Sequence, residues 1–184
     1  MTEVSINKQV KLSEHFTLAE LCKSKHEGIY NIPSHVAIEN LKRVCAWLEE
    51  LRERYNRNYV LLQTTLTPPN SGGEASGRIL PLSRGSQRGS EEPIIINSGY
   101  RSPELNRKVG GSPTSNHLTG CAVDIRVAGI EQAFRYAVIL MDYADETKQD
   151  YDELLIERNK SGGYWLHFAI RPKDNRRKTL FLYK

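Results

Sequence analysis

Apolar residues recur at helical spacing in two long stretches of the chain. Over residues 33–55, Val36, Ile38, Leu41, Val44, Cys45, Leu48 and Leu51 fall on one helical face, and Ser34 is placed to cap the start. The same period returns over 130–143 through Ala133, Phe134, Ala137, Val138 and Met141. Thr17 stands three positions before Glu20, a capping-box spacing that opens a short helix ending near Cys22. Residues 104–109 read as a further short helix, entered through Pro103 and stopped by Gly110 and Gly111. Strand character marks 59–66 (YVLLQTTL) by its β-branched and aromatic content, although period alone also admits a helical turn there. It marks 93–97, 121–127, 152–157 and 164–170 as well. The last two are joined by RNKSGG, which suits an antiparallel hairpin and sets Glu157 opposite Tyr164. Helices first, then strands interleaved with helices, predict an α+β fold: a mainly antiparallel sheet with packed helices.

Composition changes this picture in one place. Between residues 67 and 92, thirteen positions are Gly, Ser or Pro and no apolar period continues, so the segment reads as a flexible insertion or a functional lid. The length of 184 residues then predicts a single domain over 1–184, carrying that insertion and a basic tail at 171–184. Hydrophobic residues at 39% and charged residues at 26% are those of a soluble globular protein, and no run approaches the roughly 18 apolar residues of a membrane span. The opening MTEVSINKQVKLSEHF has no basic segment followed by an apolar one, so synthesis in the cytoplasm without a Sec-type signal is expected. The formal charge is +4, and the last fourteen residues, RPKDNRRKTLFLYK, carry six basic side chains and one acidic. This is a local patch, suited at most to an anionic polymer, and no nucleic-acid partner is expected from it. Cys22, Cys45 and Cys121 show no CxxC spacing and read as buried thiols.

Of five histidines, two stand in unusual company. His117 lies in the polar stretch SPTSNHLTG, seven residues before Asp124 in a predicted strand, and His167 lies inside the apolar strand YWLHFAI. Two imidazoles and a carboxylate suit a divalent ion of zinc's type, with a fourth position left open as catalytic sites require. Taken singly, each residue also fits an ordinary role: a hydrogen-bonded core histidine, a loop histidine, an outward-facing strand carboxylate.

A longer match separates these readings. INSGYRSPELNRKVGGSPTSNHLTGCAVDI resembles the zinc D-Ala-D-Ala carboxypeptidases and related peptidoglycan endopeptidases of peptidase family M15, whose metal motif runs SxHxxGxAxD. Trp165, Leu166 and His167 match the WxH strand that accompanies that motif. LSEHFTLAEL and NIPSHVAIENLKRV are similar to the compact members of the family met in phage and prophage genomes, so the likeness spans about residues 12–66 and 93–170. The resemblance implies a Hedgehog/DD-peptidase-like zinc domain with His117, Asp124 and His167 as ligands to Zn2+ and water in the fourth position. It implies a peptidase acting on a peptide bond, D-alanyl first, in peptidoglycan stem or cross-link peptides. Arg101, in the GYRS turn, corresponds to the family arginine that holds a substrate carboxylate or polarises the carbonyl. Ser115 either donates to substrate or braces its loop, and Cys121 reads as a small residue packed beneath that loop rather than a thiolate ligand.

The chain departs from the family pattern at the general base. The usual Glu or Asp three residues before the last histidine is replaced by Tyr164, which leaves Glu157, on the neighbouring strand, as the expected base and Glu153 as the second candidate. The departure keeps a second reading open, a zinc-binding but catalytically silent module that recognises cell wall or serves as a phage structural part. With no signal segment, an enzyme of this kind is expected to reach the wall as an endolysin released from the cytoplasm or as a virion component.

Overall fold

The computed structural model describes residues 10–65 and 91–183, with 58–65 described by backbone alone. Among the described residues, four α-helices and five strands follow in the order α1 (Leu18–Leu21), α2 (His35–Thr65), β1 (Ile96–Ser98), α3 (Pro103–Lys108), β2 (Ala122–Arg126), α4 (Ile130–Thr147), β3 (Glu153–Arg158), β4 (Tyr164–Ala169) and β5 (Lys178–Tyr183). The strands form one sheet in the spatial order β1-β2-β4-β3-β5, antiparallel except for the parallel β3–β5 pair, as the α+β reading expects. The reading of 67–92 as an insertion falls almost wholly outside the described residues. No helix among those described is long and apolar enough to cross a membrane.

The caps are those the sequence specifies. Thr17 accepts from the Glu20 amide at the start of α1, and Ser34 accepts from the Ala37 amide at the start of α2. The predicted strand at 59–66 is overturned, because α2 continues through Thr65. No Gly or Pro lies between Tyr55 and Thr65, so each added residue gains a helical hydrogen bond without a new nucleation cost. Two faces also shift. Val36 is exposed while Ala37 is buried, and on α4 Phe134 and Val138 face solvent while Tyr136, Leu140 and Ala144 join Ala133 and Ala137 inside.

Strand alternation divides the sheet into two unlike faces. Val123, Ile125, Leu154, Ile156, Leu166 and Phe168 point into the core, where α2 and α4 lie. Trp47 of α2 anchors this layer, its ring 5.3 Å from that of Phe168 and edge-on to Tyr143 at 4.8 Å. The opposite face carries polar rows fixed by register: Asp124 beside His167 and Leu155, Arg126 beside Trp165 and Glu157, Ala122 beside Ala169 and Glu153. The hairpin register corrects the sequence expectation by one residue. Asn159 accepts from the Gly163 amide and donates its own amide to the Gly163 carbonyl, with Gly162 at φ +86, so the turn occupies 159–163. Arg158 then pairs with Tyr164, and Glu157 pairs with Trp165.

The basic C-terminal residues are built into the sheet. β5 runs parallel to β3 with Lys178 beside Glu153, and the turn before it closes over Asp152, which has no exposed surface. Asp152 receives both Nε and Nη2 of Arg176 (2.8 and 2.7 Å), Nη2 of Arg171 (2.8 Å) and Nδ2 of Asn116 (2.7 Å). Burial pushes its pKa up, but the bonds from Arg176 and Asn116 outweigh burial and hold the carboxyl below its ordinary value. Its stabilising contribution is therefore complete above the unfolded-state pKa of about 4 and is lost as pH falls through the lower folded value. We expect Asp152→Asn to cost about 2 kcal/mol at pH 7, less than a fully buried ion pair because both arginines reach solvent, and less again at about pH 3. Urea unfolding of both proteins at the two pH values checks the size and the direction.

Candidate metal centre

The sheet register alone brings two of the three candidate ligands together, because Asp124 and His167 are cross-strand partners on the polar face. The third arrives from a loop. A 3₁₀ turn at Asn116–Thr119 precedes β2; Ser115 caps it by accepting from the His117 amide, and Gly120 ends it at φ +72. A side chain at Gly120 would place its Cβ 2.4 Å from the Ala37 carbonyl oxygen, so glycine lets this turn lie directly on α2. Asn40 of α2 fastens it by donating to the Thr119 carbonyl.

His117 Nε2, His167 Nδ1 and Asp124 Oδ1 converge: the two nitrogens are 3.3 Å apart, and they lie 3.3 and 2.9 Å from the carboxylate oxygen. Bonds of about 2.0–2.1 Å in a tetrahedron give a ligand-to-ligand edge of about 3.3 Å, so this donor set fits one zinc-sized ion without rearrangement. His117, Asp124 and His167 are all buried and together form the group among the described residues able to hold a metal.

Surrounding groups bias the protonation of each candidate ligand. His117 Nδ1 lies 2.6 Å from the Gly99 carbonyl, which can only accept, so Nδ1 carries the proton and the Nε2 lone pair faces the cluster. Burial lowers the His117 pKa, keeping the ring neutral. Burial would raise that of Asp124, but the two imidazoles outweigh it and hold the carboxyl well below its usual range. Its second oxygen, Oδ2, accepts from Arg101 Nη2, and Arg101 Nε donates to Ser98 Oγ. For His167, burial is outweighed by the carboxylates of Asp124 and Glu153, which lift its pKa to about 9. Glu153 Oε2 stands 3.6 Å from His167 Nε2. Partnership with His167, working against burial and helped by Arg176 and Lys178, keeps Glu153 at about 2.

The cluster forms the floor of a cleft of about 780 Å3 between the polar sheet face and the loop 109–117. Every residue singled out from the sequence for the site is on its wall: Arg101, Ser115, His117, Asp124, Glu153, Glu157 and His167. Glu157 is buried, with 3% of its surface exposed. Tyr164 is not on the wall. Three positions from His167 in a regular strand, it projects to the other side of the sheet, where it packs against the core and Phe181. Cys121 is buried outside the cluster, its thiol pushed up by burial. Sequence reasoning did not find Asn116, Asp152, Arg171 and Arg176, which meet through the fold; only the position of Asn116 beside His117 hinted at a role.

Residues 86–148, which include Arg101, His117 and Asp124, match the family model for Peptidase M15. No curated protein matches the chain.

The geometry predicts one zinc per chain after dialysis and none retained by His117→Ala, read by metal analysis. Gly99→Ala should bind zinc more weakly and lose about 1–3 kcal/mol of stability, since its Cβ would sit 2.2 Å from the Leu21 carbonyl oxygen and move the acceptor of His117. Chelator competition and thermal melts measure the two effects.

Proposed function

We propose, from the match of residues 86–148 to the Peptidase M15 model, that the chain is a zinc metallopeptidase that cleaves a peptide bond, D-alanyl by preference, in peptidoglycan stem or cross-link peptides. The observation that carries this reading is the convergence of His117 Nε2, Asp124 Oδ1 and His167 Nδ1 on the floor of an open cleft, with a buried carboxylate on the same sheet face. Zinc held by these atoms supplies Lewis acidity, polarising a scissile carbonyl and making water acidic enough to attack near neutral pH.

Glu157 is the residue we assign as general base. Its row on the sheet is next to that of Asp124 and His167, and the residue is part of the cleft lining. There it takes the proton of the attacking water and returns it to the leaving amine. Glu153 suits that task less, since its Oε2 faces His167 Nε2 and Asn116 Nδ2 and its Oε1 faces Arg176 and Lys178. Arg101 uses two of a guanidinium's five N–H donors on Asp124 and Ser98. Its others serve a substrate carboxylate or the oxygen that gains charge. Ser115, already capping the 3₁₀ turn, keeps its hydroxyl at the cleft wall for a substrate carbonyl.

The silent-module reading was motivated by Tyr164, and that motive weakens once Tyr164 is found on the core side of the sheet. Arg171, Arg176 and Arg177 of the basic tail are each paired with carboxylates of the same chain, which reduces the charge left for a nucleic acid. Action on the cell wall is the setting this substrate calls for.

With zinc and muropeptides, the wild-type chain should produce new amines and shortened stems by mass spectrometry. Glu157→Gln should lose at least about 10²-fold of that rate and keep its zinc. Full activity in Glu157→Gln would move the base elsewhere, and a zinc-loaded wild type that cleaves nothing would favour the binding module.

A further inference from the structure

We propose that the C-terminal segment 171–178 is a working part of the metal centre: Arg176 and Lys178 hold Glu153 against His167, and Glu153 selects the nitrogen that His167 presents to the metal. The inference rests on the reading of His167 as a ligand. It concerns residues that lie beyond the stretch matched to the family.

His167 meets the other two ligands through Nδ1, so in its metal-binding neutral form the proton belongs on Nε2. Nothing in β4 itself decides between the two nitrogens. The group that faces Nε2 is Glu153 Oε2 at 3.6 Å, and a carboxylate beside that nitrogen favours N–H there and a lone pair on Nδ1.

Glu153 holds this place because both its oxygens are occupied. Oε2 accepts from Asn116 Nδ2 at 3.1 Å, while Oε1 lies 3.0 Å from Arg176 Nη2 and 3.4 Å from Lys178 Nζ. Arg176 is about half exposed, yet it is not free to swing: Nε, Nη2 and its backbone amide are all bound to the buried Asp152. Arg171 fixes the Asn116 amide in turn, donating from Nε to Oδ1 so that Nδ2 faces the two carboxylates. Asn116 directly precedes His117, so one polar network reaches both histidine ligands from the C-terminal side. Register makes the arrangement specific, since the parallel pairing of β5 with β3 sets Lys178 level with Glu153.

The test measures zinc affinity of the full chain by competition with a chromophoric chelator. It is joined to long-range 1H–15N spectra of the histidine rings in the zinc-loaded protein and to melting midpoints. Glu153→Gln and Arg176→Ala should weaken zinc binding about 10- to 100-fold and move the His167 ring resonances, with Arg176→Lys recovering much of the loss. Arg177→Ala is the control within the same segment. Its guanidinium pairs with Asp145 and Asp150, away from the cleft, and its removal should leave zinc affinity unchanged. Wild-type affinity in Glu153→Gln, or equal losses in Arg176→Ala and Arg177→Ala, would overturn the inference while leaving the zinc site standing. A wild-type chain that takes up no zinc would remove both.

Discussion

A carboxylate taken out of water must be met by positive charge or hydrogen-bond donors, and Asp124 is such a carboxylate at the centre of the sheet. Arg101 answers one oxygen and the two imidazoles crowd the other. The parts of the chain that supply these partners are distant in sequence: the turn after β1, the 3₁₀ turn before β2, and the middle of β4. Each is held by its own local means, Ser98 for Arg101, the Gly99 carbonyl for His117, and strand pairing for His167. A cluster of this kind repels itself without a cation when both imidazoles are charged, and is settled when they are neutral and share one. The same burial that makes Asp124 costly thus suits the cluster to a cation.

The sheet turns that cluster into a site with two sides. With a side-chain period of two, the face that carries Asp124 and His167 also carries Glu153, Glu157 and Trp165, while the alternate residues pack under α2 and α4. The proposed base assignment rests on this parity. A carboxylate at position 164 would lie on the core side of β4, whereas Glu157 lies on the cleft side because the hairpin turn closes at 159–163. One residue of register separates a carboxylate in the cleft from one on the wrong face.

A second buried carboxylate, Asp152, organises the C-terminal end in the same way. Its two arginines and Asn116 draw the turn at 171–177 over the start of β3, and β5 completes the sheet edge beside it. Part of the positive charge that composition presents as a basic tail, that of Arg171, Arg176, Arg177 and Lys178, is paired with carboxylates of the same chain. The cleft lining and this network share Asn116 and Glu153, so the cleft is bounded on one side by the loop before β2 and on the other by residues near the C-terminus.

Much of this was legible in the residues themselves. The apolar period over 33–55 and 130–143, the caps at Thr17 and Ser34, and the motif around His117 and Asp124 are local signals, each written in neighbours within a few positions. They suffice for the α+β class, for the family and for the three ligand candidates. The run at 59–66 reads as a strand because a short apolar stretch looks alike in a strand and in an extended helix, and for 59–65 the helix already formed before it decides. Tertiary structure alone decided the rest. Whether Glu157 faces the cleft depends on the register of a hairpin, and whether Arg176 is a solvated tail residue or the clamp on Glu153 depends on a parallel pairing between segments about 25 residues apart. Neither leaves a trace in spacing or composition, because both are set by which partner a strand meets, and a strand carries the same sequence whichever partner it finds.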